Sequence, residues 1–344
     1  MKEFEVTIGI PVYRAVDYIE QTMLSALNQT FPSIEFLVID DCGNDGTITI
    51  VEHLQRIHPR GADIRILYNE RNMGVGVTRN RILDEARGHY LYFLDSDDLI
   101  EPDTIQLLMS NAKEFQAEVV YGSLDRIDKV NFLPTKSFIL PEVQFLLGDE
   151  MATFAFKNYN SFQISVCNCM MDLDFLRYHQ LRFVDSVFWE DLAFTYEMVT
   201  KINRAILLSV VTYHYICRPG SLSHYQDREQ LRKSEILKNI STLDYLKEKC
   251  KSLKDKVYIP YLCYNLEMNS FYCVCHVIKK AHSIFPQIEG MELRLFMRYP
   301  LPFMDVIQFR EKRLHNIVLW LVAHLPVPLF IPVVKQMGRI KGIL

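Results

Sequence analysis

The chain of 344 residues lacks the excess of basic residues that binding to nucleic acid normally requires. Its 38 Lys and Arg residues against 42 Asp and Glu residues give a formal net charge of −4, whereas nucleic-acid-binding domains carry a strongly basic face. Nucleic acid is therefore not expected as a partner. With 49% hydrophobic and 23% charged residues, the composition is that of a globular protein with one large or two ordinary domains.

Cysteine motifs for zinc are missing as well. The eight cysteines are scattered, and no two have the Cys-x-x-Cys spacing of structural zinc sites. The first five residues show no apolar signal-peptide core. We therefore expect a cytoplasmic protein with reduced thiols. The Cys-x-Cys pairs Cys167/Cys169 and Cys273/Cys275 are interpreted as buried thiols, with a metal site as the alternative.

Two common nucleotide-binding motifs are also absent. The first β-rich run leads into Pro11 rather than into a Gly-x-Gly-x-x-Gly turn, and the chain has no Gly-Lys-Ser/Thr phosphate loop. Neither a dinucleotide-dependent dehydrogenase nor a P-loop NTPase is supported.

What the sequence does contain is an alternation of β-rich runs and amphipathic helices. The runs 6–12, 35–40, 64–68, 90–94 and 119–123 are separated by helical patterns, of which the first is expected to be capped by Asp17 and the fourth to be opened by Pro102. This order predicts an α/β fold with a mostly parallel sheet flanked by helices. A strand-like run at 166–171, a helix opened by Trp189, and two short strands, 204–208 and 211–217, follow.

Acidic residues cluster directly after the fourth strand, at Asp95-Ser96-Asp97-Asp98. Carboxylates so close repel one another, and hydration or a hard divalent cation that bridges them to a phosphate relieves the repulsion. A bare Asp-x-Asp would favour the solvated turn. However, ligands of such sheets bind at the carboxyl ends of the strands, and the polar segments 11–14, 40–41 and 69–72 occupy the other strand ends.

These residues resemble, over roughly 4–225, a family 2 glycosyltransferase of the GT-A fold, the inverting group that uses nucleotide-diphospho-sugars. The resemblance is carried by an ordered series: Ile10-Pro11-Val12-Tyr13, Val38-Ile39-Asp40-Asp41 with Asp45-Gly46-Thr47, Asn72-Met73-Gly74 with Arg79-Asn80, Asp95-Ser96-Asp97-Asp98, and Glu190-Asp191. The processive-synthase signature Gln-x-x-Arg-Trp is absent, which favours an enzyme that adds a single sugar.

The resemblance implies a role for each matching residue. Pro11, Val12 and Tyr13 would lie along the nucleobase, and Asp41 would accept a hydrogen bond from a uracil-like edge. Arg79 would face the diphosphate or hold Asp95, which would contact the ribose or the metal. Asp97 would bind Mn²⁺ or Mg²⁺ between the two phosphates. Asp191 would be the general base, and Glu190 would position it or the acceptor.

The chemistry of inversion accounts for these residue types. A divalent ion on the diphosphate makes it a tolerable leaving group, and one carboxylate on the opposite face takes the proton of the acceptor hydroxyl. Other interpretations stay open. Asp45-Gly46-Thr47 favours a turn and a helix cap, and Glu190-Asp191 also fits charge complementation at a helix N-terminus. Cys42 replaces a small polar residue of the family pattern. His224 is a further candidate ligand.

The C-terminal region changes character. We place a boundary near Asp227, which gives a catalytic domain at 1–226 and a helical region at 227–344. Leu314–Val334 approaches the length of a membrane span, but Pro326, Pro328 and Pro332 would break a continuous helix. Lys335, Arg339 and Lys341 follow, so a peripheral contact with the inner face of the cell membrane through 314–344 and a helix packed on the protein's own core are both open.

The sequence thus predicts a metal-dependent inverting glycosyltransferase that moves one sugar, from a UDP-sugar, to a glycan or lipid-linked acceptor of surface polysaccharide. One alternative is a sugar-1-phosphate nucleotidyltransferase, which would need a glycine-rich basic loop where Pro11–Arg14 stands. The other is a non-catalytic sugar-nucleotide-binding protein. The sugar, the acceptor, the linkage and the oligomeric state do not follow from the sequence.

Overall fold

The computed structural model describes residues 3–128, 133–145, 147–158, 165–186, 189–217 and 230–344. His224 and the segment 218–221 before it lie outside these residues. The described chain forms two compact units. The first comprises 1–151, 160–185 and 194–219, and the second comprises 152–159, 186–193 and 220–344. The predicted boundary near Asp227 stays a prediction.

Strands and helices alternate through the N-terminal half of the chain. The strands are β1 (Phe4–Val12), β2 (Ile34–Asp40), β3 (Ile64–Tyr68), β4 (Gly88–Phe93), β5 (Leu99–Ile100), β6 (Val119–Asp128), β7 (Pro134–Phe138), β8 (Val143–Phe145), β9 (Cys169–Asp172) and β10 (Ala205–Cys217). The helices are α1 (Ile19–Leu27), α2 (Thr47–Ile57), α3 (Val75–Glu85), α4 (Thr104–Phe115), α5 (Glu150–Lys157), α6 (Leu173–Tyr178) and α7 (Glu190–Val199).

One sheet with the order β3-β2-β1-β4-β9-β6-β10-β5 contains these strands, with β7 added to β6 and β8 to β10. Strands β3, β2, β1 and β4 are parallel, as predicted. Strand β9 runs antiparallel to both β4 and β6, and β5 and β8 run antiparallel to β10. The α/β architecture is therefore confirmed, but the sheet is mixed rather than mostly parallel.

The packing of α3 on the parallel part of the sheet depends on Gly9. Strand β1 is buried along nearly all its length, as expected for a strand covered on both faces. A Cβ on Gly9 would lie 2.4 Å from Cγ2 of Ile82 in α3. The missing side chain lets the helix approach the sheet closely, which sets where the residues of α3 lie above the strand ends.

Three local predictions differ from the structure. Helix α1 begins at Ile19 after Tyr18, and no side chain caps it, so Asp17 is not the cap. Helix α4 begins at Thr104 rather than at Pro102. The two short strands predicted at 204–208 and 211–217 are one strand, β10, whose pairing with β6 shifts register between Leu207 and Val211. This irregularity interrupts the alternation of apolar and polar residues in the sequence, but the strand itself continues.

The second unit is largely helical, as predicted for the C-terminal region. It contains β11 (Leu231–Arg232), α8 (Lys233–Cys250), α9 (Ile259–Lys279), β12 (Ile284–Phe285), α10 (Gly290–Phe296), α11 (Phe303–Val306), α12 (Arg313–His324) and α13 (Val327–Ile340). Pro326 separates α12 from α13, whereas Pro328 lies in the first turn of α13 and Pro332 lies inside it. Pro328 costs no hydrogen bond in the first turn, whereas Pro332 removes the bond to the carbonyl of Pro328 without ending the helix. Only Pro326 therefore separates two helices, and the predicted break at Pro328 and Pro332 is wrong.

An ion pair is buried in the core of the second unit. Nζ of Lys247 in α8 lies 2.8 Å from Oε1 of Glu267 in α9, and neither side chain is more than 1% exposed. Lys247 also donates to the carbonyl oxygen of Phe296 at 3.1 Å. The pair joins the two helices inside the core, where each charge needs a partner. No helix within the described segments has both the length and the apolar character needed to cross a membrane.

Candidate functional site at the carboxyl edge of the parallel strands

The parallel strands bring the predicted donor-binding residues of the first unit to one edge of the sheet. The ladders continue for one residue past the strands, with Asp41 N donating to Val12 O at 2.8 Å, Asn69 N to Asp40 O at 2.8 Å and Leu94 N to Gly9 O at 3.1 Å. The segments that follow Val12, Asp40, Tyr68 and Phe93 therefore emerge side by side, as expected for such sheets.

Of the three residues predicted to lie along a nucleobase, only Tyr13 offers much surface. Pro11 and Val12 are buried within β1, whereas Tyr13 is 42% exposed. The guanidinium carbon of Arg14 lies 5.2 Å from the centre of the Tyr13 ring, within the range of a cation–π contact. Tyr13 is therefore the residue of this segment that can stack on a planar ligand.

Asp41 is buried and holds the loop that follows β3. Its Oδ1 accepts hydrogen bonds from Nδ2 of Asn69 at 2.7 Å and from Met73 N at 2.8 Å, and its Oδ2 accepts one from Gly74 N at 2.8 Å. The carboxylate is 3% exposed. These contacts serve the protein's own loop, and the predicted hydrogen bond from Asp41 to a uracil-like edge stays a prediction.

Replacing Asp41 by Asn is expected to lower the free energy of unfolding by about 1–3 kcal/mol, because at least one buried N–H would lose its acceptor. Asp40→Asn is the matched control. Burial and the nearby charges of Asp45 and Asp41 raise the pKa of Asp40, although a hydrogen bond from Gly43 opposes them, so loss of its charge should not destabilise the fold. Urea unfolding measures both variants, and equal losses would contradict the assignment.

The turn Asp45-Gly46-Thr47 leads into α2, as predicted, but the N-cap residue is Gly46, which has no side chain to cap the helix. Oδ1 of Asp45 accepts from the backbone N and Oγ1 of Thr47 at 3.1 and 2.6 Å, and Oδ2 accepts from Val16 N at 3.2 Å. Desolvation opposes ionisation, but these hydrogen bonds prevail and lower the pKa of Asp45. The turn also holds the segment after β1, since Ala15 N donates to Oγ1 of Thr47 at 3.0 Å.

Asp95 is oriented from two sides. Its Oδ1 accepts from Nη2 of Arg79 at 2.7 Å, and its Oδ2 accepts from the thiol of Cys167 at 3.2 Å. The Arg79 side chain is only 6% exposed, whereas that of Asp95 is 30% exposed. Of the two roles predicted for Arg79, the structure contains the one in which it holds Asp95. The contact of Cys167 was not anticipated from its Cys-x-Cys spacing.

Asp98 is the residue of the acidic cluster that faces the core. It is 1% exposed, and it accepts from the Tyr213 hydroxyl at 2.6 Å and from Ile216 N at 2.8 Å. Burial raises the pKa of Asp98 well above its usual range, and the charges of Asp97 and Asp95 add to the effect. Asp98 therefore anchors the cluster to β10, which leaves half-buried Asp95 and Asp97 nearer the surface.

The donor set suits a hard divalent ion only in part. Among the described residues, no three His, Cys, Asp or Glu side chains are grouped to hold a metal. Asp95 and Asp97 nevertheless supply carboxylate oxygens, and Mg²⁺ is usually held by one or two carboxylates together with substrate phosphates. The residues therefore fit a metal that is bound jointly with a diphosphate.

Glu190 and Asp191 lie in the first turn of α7 and belong to the second unit. Glu190 is buried, Asp191 is half-buried, and Oδ1 of Asp191 accepts from Leu192 N at 2.7 Å. Carboxylates in the first turn stabilise a helix through its dipole, with or without a catalytic role. The general base and the positioning residue predicted here stay predictions.

Comparisons with known proteins show the family and the fold of this chain. A sequence model of glycosyl transferase family 2 matches residues 7–178, half of the 344 residues. TuaG of Bacillus subtilis, named as a teichuronic acid biosynthesis glycosyltransferase, is 42% identical over 101 residues, which are 29% of this chain and 39% of TuaG. The cholesterol galactosyltransferase of Borreliella burgdorferi is 24% identical over 314 residues, which cover 84% of each chain.

Among solved structures, residues 1–349 of TarS from S. aureus, in complex with UDP-GlcNAc, superpose with a TM-score of 0.67. The match has 18% identity and covers 93% of this chain and 90% of that one. At this identity the likeness shows the fold alone, and it confirms the predicted fold class. The chain spans less than two-fifths of the length of several curated relatives, such as TuaG at 39% and GlyA of Streptococcus pneumoniae at 31%.

Proposed function

The chain belongs to glycosyl transferase family 2, which confirms the predicted family and enzyme class, and we propose that it moves one sugar from a nucleotide-diphospho-sugar to a glycan or lipid-linked acceptor in surface polysaccharide assembly. The observation that carries the proposal is the pair of partly accessible carboxylates, Asp95 and Asp97, at the edge of the parallel strands. Arg79 and Cys167 hold the first of them in place.

A UDP-sugar is the donor in this proposal. The support is a likeness of fold to TarS, whose structures contain UDP-GlcNAc or UDP, together with the exposed ring of Tyr13 beside the strand ends. Stacking on an aromatic ring accepts any base, so selectivity for uracil would depend on hydrogen-bonding groups. Asp41, whose oxygens also accept three N–H donors of the protein, is the proposed group.

Asp97 and Asp95 would hold the metal, Mn²⁺ or Mg²⁺. When bound, the ion would neutralise charge on the departing diphosphate, which needs no proton transfer. Nη2 of Arg79 lies 2.7 Å from Oδ1 of Asp95 and orients this carboxylate. Asp98, turned inward onto Tyr213, fixes the loop without facing the ligand. In this proposal Asp98 serves the core, and Asp95 and Asp97 are the two carboxylates that would reach a phosphate-bound ion.

Asp191 is the proposed general base, and Glu190 the residue that positions it. Inversion requires one carboxylate that accepts the proton of the acceptor hydroxyl as the new bond forms. Both residues lie in the first turn of α7. Peripheral membrane contact through 314–344, in a cytoplasmic protein, belongs to the same proposal.

Donor turnover separates this function from its alternatives. We expect slow, metal-dependent hydrolysis when UDP- and GDP-sugars are screened, because water can replace a missing acceptor. A nucleotidyltransferase would instead release pyrophosphate from a nucleoside triphosphate and a sugar phosphate, and a purely binding protein would leave every donor intact. Either result would overturn the proposal.

Asp97→Ala is expected to abolish the dependence of UDP binding on Mn²⁺, because Asp97 is the proposed ligand of the ion that offsets the charge of the two phosphates. Calorimetry with UDP, with Mn²⁺ or with excess EDTA, measures the effect. Asp103→Ala is the matched control, since Asp103 is an exposed aspartate of the same unit whose side chain makes no capping hydrogen bond. UDP affinity that is unchanged in EDTA, or in Asp97→Ala, would remove the metal from the proposal.

A further inference from the structure

Helix α12 carries apolar side chains on the face that points away from its own unit. Its buried side is formed by Asn316, Leu319, Val322 and Ala323. On the opposite side, Leu314, Val318 and Leu321 are 75%, 49% and 51% exposed. Their spacing of four and three residues places them in one row along the helix. A surface helix normally carries polar residues there.

The apolar surface continues onto the neighbouring helix α11. Phe303 and Met304 are 37% and 64% exposed, and the Phe303 ring lies 4.9 Å from that of Trp320 in α12. Trp320 in turn stacks on His324 at 3.6 Å. Aromatic side chains with a polar tip, such as tryptophan, are typical of the boundary between lipid and water.

The segment after Glu311, which contains α12 and α13, carries charge of one sign, whereas Asp305 of α11 and Glu311 itself are acidic. From residue 312 to residue 344 the chain has five Lys and Arg residues and no Asp or Glu, although the whole protein has a net charge of −4. Arg313, Lys335, Arg339 and Lys341 are exposed. Such basic residues beside an apolar surface attract anionic headgroups and increase partition into a bilayer by about five-fold each.

We propose that the face formed by Leu314, Val318 and Leu321, with Phe303 and Met304 beside it, docks on an anionic lipid bilayer, and that Arg313, Lys335, Arg339 and Lys341 contact the headgroups. We call it the lipid face. This refines the peripheral contact proposed above, and it is independent of sugar transfer, because lipid binding is measured without a donor.

A second copy of the chain is the competing occupant, and the charges argue against it. A twofold interface brings the same surface of both copies together, so the exposed basic residues of the segment after Glu311 would be brought towards one another. Anionic lipid supplies the opposite charge to these residues. The lipid face is also too short for a span, which leaves insertion parallel to the membrane.

Co-sedimentation of the full chain with phosphatidylcholine vesicles, with and without 30% phosphatidylglycerol as a probe at roughly physiological salt, tests the proposal. We expect binding only with the anionic lipid, and release in high salt. Leu314→Glu with Leu321→Glu should reduce the partition coefficient about a hundred-fold, and Lys335→Gln with Arg339→Gln and Lys341→Gln should do so by a similar factor. Leu237→Glu, at an exposed leucine of α8 in the same unit, is the matched control.

Trp320 gives a second readout. With Trp189→Phe, Trp320 is the remaining tryptophan of the two in the chain, and brominated phospholipid should quench its fluorescence in the full protein. Equal binding to neutral vesicles, normal binding of the double Glu variant, or absence of quenching would overturn the proposal. So would dimerisation in sedimentation equilibrium that the double Glu variant abolishes. Retained sugar transfer in either variant without membrane would leave the proposed function intact.

Discussion

Asp191→Asn is expected to leave UDP affinity unchanged while sugar transfer falls by about two to four orders of magnitude, the usual contribution of general-base catalysis. The substitution keeps the shape and nearly the volume of the side chain, so the hydrogen bond that Leu192 N donates at 2.7 Å keeps an acceptor. What is lost is the ability to take a proton. Glu190→Gln should have a smaller effect if Glu190 only positions its neighbour.

A purely structural role for Asp191 predicts a different outcome. Loss of a charge in the first turn of α7 would cost up to about 1 kcal/mol of stability and would barely change turnover. Glu20→Gln provides the control, because Glu20 is an exposed acid in the first turn of α1. Transfer rate, UDP affinity and melting temperature should be measured on the same preparation. A lowered melting temperature with near-normal turnover would remove Asp191 from the proposed mechanism.

Lys247→Met is expected to destabilise the helical unit by about 3–5 kcal/mol at pH 8, because it leaves Glu267 buried without a counterion. Burial raises the pKa of Glu267 to about 7 even though Lys247 opposes the shift. Without Lys247 that pKa must rise further. Of the more distant charges, Asp244 raises it and Arg298 lowers it.

The sign of the pH dependence follows from the raised pKa. When the pKa of a carboxyl group is higher in the folded state, burying the group does not lower the free energy of unfolding at a pH below its unfolded pKa of 4.5. As the pH rises from there towards the folded pKa, the free energy of unfolding falls increasingly. The loss of stability caused by Lys247→Met should therefore be smaller at pH 5 than at pH 8. Lys247→Met combined with Glu267→Leu should recover most of the stability and lose this pH dependence, since no buried charge remains.

Urea unfolding at pH 5 and pH 8 measures these differences. Lys233→Met is the control, since Lys233 pairs with Glu292 at 2.7 Å in the same unit but both side chains are partly exposed, and such pairs contribute at most about 1 kcal/mol. If Lys247→Met cost no more than the control at pH 8, the requirement of buried Glu267 for Lys247 as its counterion would be contradicted.

Much of the fold follows from local pattern in the sequence. The order of β1 to β4 with their helices could be predicted because each is short, periodic and bounded by turn residues. The antiparallel direction of β9 could not, since it depends on pairing with β4 and β6 rather than on its own four residues. The interruption within β10 looked like a strand end because a shift of register disturbs the alternation.

The candidate site shows the same limit at the level of single residues. Asp95 and Asp97 stand out because acids follow a hydrophobic run, and the sheet rule places them at an edge. The inward turn of Asp98 depends on Tyr213, 115 positions away, and the thiol that holds Asp95 is 72 positions away. Contacts of such sequence separation leave no periodic trace, and the family resemblance does not supply them.

The hydrogen bonds of Asp41 have a consequence for the dynamics of ligand binding. The loop from Asn69 to Gly74 has no regular secondary structure, yet three of its N–H groups are tied to one buried carboxylate. Arg79, which contacts Asp95, lies in α3 about one helical turn after this loop. The conformational entropy of the loop is thus lost during folding rather than on ligand binding, so in the proposed donor site this loop would already be ordered before a ligand arrives.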